Sequence, residues 1–263
     1  MGVKKNIKLI FDYFKLNIKK EWQYKTSFIM QVVTMILNDL FFIIQWLIIF
    51  SLVDNIGGYG FKETMLLWGV CAGSYGFSHL FFAGAWRIRE YVYDGKMDVY
   101  FTQPKNLLIN ICASDTYISG FGDIIYAFII LFIIKAPWWW FLALIPVIVL
   151  SGLMYLSMYI VYVSLCFYIK GGDVIAHSVE STVLKVSNYP PAIFSNVVKI
   201  IMCTVIPVVF YSFVPVESIF INFNPLYILV YILATIVWVV LAFVCFYKGV
   251  KRYSSGSVTG GRL

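Results

Sequence analysis

The sequence predicts an all-α, polytopic membrane protein: six transmembrane helices preceded by an amphipathic helix in the membrane interface. Three observations carry this. Of the residues, 61% are hydrophobic and only 13% charged, with a mean hydropathy of +0.85, so a soluble domain of 263 residues could not cover its surface. Six apolar runs, 27–53, 64–86, 107–134, 136–169, 192–214 and 226–247, carry at most two charges each. All reach the roughly 20 residues that cross a hydrocarbon core. Third, six spans put every Lys and Arg except Lys62 and Lys135 on the side that holds both termini. Such cations mark the cytoplasmic face, so both termini are expected there. The net charge of +7 then reflects orientation and contact with anionic lipid, and no nucleic-acid partner is expected.

In chain order, residues 1–26 carry Val3, Ile7, Ile10, Phe11, Phe14, Ile18 and Trp22 mostly at steps of three and four, with lysines opposite. That is the pattern of an interfacial helix; a bare topology signal is the plainer reading. In the first span Gln31, Asn38 and Gln45 repeat every seven residues and form one stripe. Residues 54–61 (DNIGGYGF) read as a turn. Gly69, Gly73, Ala72 and Gly76 give the second span small-residue patterns that let helices approach closely. Packing inside the bundle is the simpler use, a dimer contact the sharper one.

On the third span Asp115, Ser119 and Asp123 are spaced by four and would share a helix face. With Asn38 and Asp39 they are the candidates for a translocation path, because a charge inside the bilayer costs several kcal/mol and defaults to a functional reading. Hydrogen bonding between helices is the structural alternative. The fourth run is too long for one perpendicular helix at ~1.5 Å per residue, so it must tilt or run past the bilayer. Trp138, Trp139 and Trp140 near its start form an aromatic belt. Residues 215–225, bracketed by Pro215 and Pro225, are too short to cross and too apolar for a free loop. They read as an external re-entrant or surface helix, and residues 1–263 as a single transmembrane domain.

Catalysis by this chain is not expected. There is no phosphate-binding loop, no H-E-x-x-H and no cluster of metal ligands. The two histidines are far apart, and the five cysteines lie in apolar runs without CxxC spacing. No cleavable signal is expected, since the first apolar run begins only after about 25 residues.

The densest charge lies in residues 85–105, AWRIREYVYDGKMDVYFTQPK, between two apolar runs. Arg87, Arg89, Glu90, Asp94 and Asp98 surround Ile88, Val92, Met97 and Tyr100, with an Asp94-Gly95 turn and Pro104 as a stop. A short cytoplasmic amphipathic helix fits; an ordinary solvated loop is the alternative. Within it, GKMDVYFTQP (95–104) resembles the G-x-L-D-x-x-L-x-x-P segment of ABC-2 family permeases, the membrane subunits of ABC transporters, with Met97 and Phe101 in place of leucines. Tyr189 and Pro190, followed by Phe194, Pro207, Phe210 and Pro215, agree in order, as does GVKRYSSG at 249–256.

The resemblance implies the ABC-2 type exporter fold, in the six-span branch of about 260 residues. The loop would be the coupling helix docking a separate cytoplasmic ATPase, with Arg87, Arg89, Glu90, Asp94, Gly95, Met97 and Asp98 as coupling residues. ATP and Mg would be bound by that partner, leaving this chain without a cofactor. A second permease subunit, identical or related, would complete the path in a bacterial cell membrane. Two other classes compete. An ion-gradient-driven secondary transporter would use the intramembrane acids but is expected to show internal repeats; an intramembrane lipid-modifying enzyme would need more clustered acids or histidines.

Overall fold

The computed structural model describes residues 2–253, without the side chain of Val3. Ser254, Ser255 and Gly256 of the last family-like stretch, and Arg262 of the cation count, lie outside the described residues. Helices dominate, and no strand is present among the described residues beyond one isolated bridge, Ile56 to Tyr59. That bridge closes the predicted turn, with Gly57 and Gly58 at φ +60° and +90°.

Helix α3 (Phe61–Phe82) forms the centre. It is apolar on all sides, and a helix without a polar stripe must be buried. In its most apolar window 78% of residues are buried, against 17% in α2 (Lys25–Phe50) and in α11 (Pro225–Val250). The latter two therefore line the periphery and turn rows of exposed Leu, Ile and Val outward. Between them and α3 stand α7 (Gly120–Ile133) and α8 (Trp138–Val163). α8 continues to Phe167, a 30-residue rod that outruns a hydrocarbon core, as its length predicts.

The small residues of α3 pack inside the bundle. Cβ atoms added at Gly73 would lie 2.9 Å from Ala127 Cβ, and at Gly76 2.6 Å from the Gly120 carbonyl and from Asp123 Cβ. Helices α3 and α7 therefore touch backbone to backbone.

Helix α1 (Val3–Trp22) forms as predicted, but its buried face is more polar than the spacing of its apolar residues implies. Asn17 is buried and donates to Thr116 Oγ1 at 3.1 Å, and Tyr13 donates to Asn110 Oδ1 at 2.8 Å. Ile7, Phe11 and Trp22 stay about half exposed, facing where lipid would be.

Three expectations are corrected. The third apolar run is not one helix: α6 (Leu107–Ala113) and α7 are separated by an irregular stretch at 114–119. Asp115 consequently does not share a helix face with Asp123, whereas Ser119 caps α7 one turn before it, its carbonyl accepting from the Asp123 N–H at 3.4 Å. Ser, Asp, Thr and Ser in ASDTYIS offer the backbone local hydrogen bonds that compete with a helix. The protein fills the break, as irregular backbone at that depth requires: Tyr117 N–H donates to the His79 carbonyl at 3.0 Å.

The stretch after the fourth run, expected as a cytoplasmic loop, is a helix, α9 (Gly172–Ser187). It starts beside the 85–105 loop, where Asp173 meets Arg89. By Ser187 it has climbed to the Cys71 thiol, and Ala192 packs on Gly57 in the 54–60 turn. The chain thus runs the length of the bundle here, and Lys185 leaves the loop side.

The fifth run, 192–214, is correspondingly not a simple span. Helix α10 (Asn196–Thr204) and a wide-turned segment, Val209–Ile221, meet at 80°. Val205 reaches Tyr162, while Glu217 and Phe220 return to Tyr59 and Trp140 near the turn. The segment therefore dips in from the turn end and goes back to it. The expected start of a separate element at Pro215 is not seen, since Pro215 sits inside the wide turns of Val209–Ile221.

Among the described residues four helices qualify as crossings by length and apolarity, or five if the bent pair counts as one. The expected count of six is not reached on this criterion, and α9 runs along the bundle without qualifying as a crossing.

Backbone contact between α3 and α7 gives a discriminating prediction. Gly76→Leu should force these helices apart at a cost of about 1–3 kcal/mol or more, seen as loss of the monodisperse peak in fluorescence-detected size exclusion. Gly69→Ala, whose Cβ would meet Ile130 at an ordinary 3.4 Å, should leave the peak intact.

Candidate functional site

The site has a surface part and an interior part. At the surface, α3 runs through a tight turn, Ala83–Arg87, into α4 (Ile88–Tyr93), and α5 (Asp98–Phe101) follows. Ile88, Val92 and Met97 are buried beneath these short helices. Gly95, at φ +70°, allows the reversal between them that a side chain would strain. Two ion pairs tie the loop down: Arg87 Nη2 lies 2.7 Å from Asp115 Oδ2 in the helix break, and Arg89 Nε 2.8 Å from Asp173 Oδ2 on α9. With both arginines about half exposed, each pair contributes roughly 1 kcal/mol or less, so orientation is their main effect.

Of the predicted coupling residues, Glu90 and Asp94 face outward and Met97 is an anchor with no exposed surface. Asp94 accepts from Lys96 at 2.8 Å, which raises the Lys96 pKa. Asp98 faces Tyr253, whose hydroxyl is pushed up to about 12, first by burial and then by that carboxylate. Val99 and Phe101 are exposed apolar residues on the same surface.

Inside, Asp39 on α2 and Asp123 on α7 are almost wholly buried and hydrogen-bond each other, with Asn38 bonding to Asp39. They border a cavity of about 230 Å³ walled by Phe42, Trp68 and Tyr75. Met35 and Asn38 are shared with a groove of about 840 Å³ that Gln31, Thr34 and Ser119 also line. Gln45, the third member of the predicted stripe, lines neither. Tyr75 and Leu184 are shared with a third space, about 470 Å³, which holds His79, His177 and Glu180. Asn38, Asp39, Ser119 and Asp123 thus border a row of adjoining spaces, whereas Asp115 belongs to the loop anchorage.

Sequence reasoning missed Glu180. It accepts from Trp86 Nε1 at 2.7 Å and from Tyr155 at 2.8 Å, with His177 Nδ1 at 3.2 Å. The signal was present, since Glu180 sits in the weakly polar run GDVIAHSVESTVLKVS, but that run was read as loop.

A helical bundle with several helices long and apolar enough to cross a membrane defines a multi-pass membrane protein. The chain belongs to the ABC-2 family: the family model described as ABC-2 family transporter protein matches residues 22–257. It is therefore an ABC transporter permease, the membrane component. No curated protein and no solved structure matches it.

Removing the Glu180 acceptor should be costly. Glu180→Ala leaves the buried Trp86 and Tyr155 donors unpaired at about 1–3 kcal/mol each, a fall in thermal midpoint of the detergent-solubilised protein. Glu180→Gln, which keeps an acceptor oxygen, should retain most of that stability.

Proposed function

We propose that this permease forms the translocation path of an exporter in a bacterial cell membrane, driven by a separate cytoplasmic ATPase that docks on residues 85–105. Both termini and the loop face the cytoplasm in this reading, and the 54–60 turn faces outside. The observation that carries it is the build of the loop. Its outer surface mixes Glu90 and Asp94 with apolar Val99 and Phe101, while Ile88, Val92, Met97 and two ion pairs fix its underside. A partner pressing on such a surface moves a rigid piece attached to both the α6–α7 break and the start of α9.

ATP binding by the partner would shift the population between inward- and outward-open bundles. The path would use the adjoining spaces bordered by Asn38, Asp39, Ser119 and Asp123, completed by a second permease subunit. The buried carboxylate pair is the feature that favours the runner-up, an ion-gradient-driven carrier.

Charge reversal on the outer surface decides between them. Glu90→Lys with Asp94→Lys should abolish co-purification of the ATPase, and ATP-dependent transport in vesicles should fall at least about tenfold, as for loss of rim and central charge contacts, at unchanged membrane insertion. ATP-independent, proton-dependent transport that survives the double substitution would establish the carrier instead.

A further inference from the structure

We propose that the cavity at Asp39 and Asp123 binds a primary ammonium group carried on an apolar or aromatic body, and that this cation exchanges for a proton the two carboxyls share. The proposal rests on the permease reading only in calling the ligand a transported substrate; the site itself stands on the geometry.

Asp39 and Asp123 are 3% and 1% exposed. Two carboxyls this close and this buried cannot both ionise, so in the empty site one proton is held between them. Each nevertheless keeps its Oδ2 without a hydrogen-bond partner, two buried acceptors bordering a cavity. Native interiors rarely leave such groups unpaired, and an ammonium brings three donors.

The walls suit the rest of such a ligand. Phe42 and Trp68 pack at 4.2 Å between centroids, with Tyr75 beside them. Aromatic faces attract a cation that lies over them.

The groups facing the pair are Asn38 from α2, Tyr75 and Trp68 from α3, Tyr126 from α7, Asn188 beyond α9 and Tyr211 from the wide-turned segment. His79 and Glu180 lie in the adjoining space. Among the described residues no lysine or arginine lines the cavity, so no internal cation competes for the carboxylates.

The charges balance. The empty pair, one carboxylic acid and one carboxylate, carries −1. Entry of one ammonium with release of one proton to water leaves two carboxylates and one cation, again −1. The exchange therefore adds no net charge to the buried site, which is the condition a low-dielectric surrounding imposes on binding.

The test is calorimetric titration of the full chain in lipid nanodiscs with phenethylammonium, empty discs subtracted, in two buffers of different protonation enthalpy. About one proton should be released per cation bound, and affinity should rise about tenfold per pH unit while the pair still holds its proton. The neutral isostere 2-phenylethanol should bind at least tenfold more weakly, about the discrimination expected when a charge-assisted hydrogen bond is lost. Asp123→Asn should abolish proton release and weaken phenethylammonium at least tenfold. Cation binding without proton release by the unmodified chain, equal binding of the alcohol, or no binding of either would overturn the proposal, whatever the variant's folding yield. Because no ATPase takes part, failure here is separate from failure of ATPase docking.

Discussion

Backbone contact between α3 and α7 is the constraint on which the remainder depends. Gly73 and Gly76 on one helix face Ala127 and Gly120 on the other, leaving no room for a side chain between them. Little hydrophobic driving force operates between helices in lipid, so close packing of small residues does the assembling. This contact sets Asp123 beside α3 and within reach of Asp39. It also places the start of α7 next to His79, whose carbonyl receives the broken backbone at Tyr117. A bulkier residue at Gly76 would therefore disturb the carboxylate pair and the helix break together.

The break is what lets one interface serve both halves of the site. A continuous third helix would have pointed Asp115 and Asp123 the same way. Interrupted at 114–119, the chain sends Asp115 down to Arg87 in the loop and Asp123 into the interior. The helix loses several of its own hydrogen bonds there, and side chains from α1 and the loop take up the polar groups released. Asn17 and Thr116 bond directly, which explains why an interfacial helix carries a buried asparagine amid its apolar residues.

Much of this was legible in the sequence, for reasons that can be stated. Four long crossings, the amphipathic first helix, the turn at 54–60 and the charged loop follow from hydropathy and periodicity, which solvent and lipid enforce directly. The glycines of α3 signalled close packing, although only the fold could choose α7 as partner. The pairing of Asp39 with Asp123 was not legible, because the two residues lie in different helices and nothing in their spacing relates them. Nor was helix α9: Glu180 and His177 lower its apolarity, yet Glu180 is sheltered by Trp86 and Tyr155. The outer face of α9 carries exposed Ser178, Ser181, Thr182 and Lys185, so hydropathy did not mark it as part of the bundle. Conversely 192–214 is apolar enough to cross, but Pro207 removes the backbone donor at the point where the chain bends by 80°.

The arrangement also determines what a load on the loop would meet. The buried residues Ile88, Val92 and Met97 make α4 and α5 move with the end of α3, and the two arginines attach that unit to separate elements. Arg87 holds the α6–α7 break, whose last residue, Ser119, borders both the wide groove and the space around His79. Arg89 holds the start of α9, whose Glu180 and Leu184 border that second space about two and three turns further on. Each attachment is a single charge-assisted contact of low net worth, so it can be remade after a shift of one or two ångströms. A seamless apolar contact would resist such a shift, since close-packed interiors lose contacts outright when opened. Weak, directional ties at the loop and tight apolar packing at α3 and α7 therefore divide the labour. Helix α9 is also held through Glu180 on Trp86 and Tyr155, and the adjoining spaces lie between it and the core of α3 and α7.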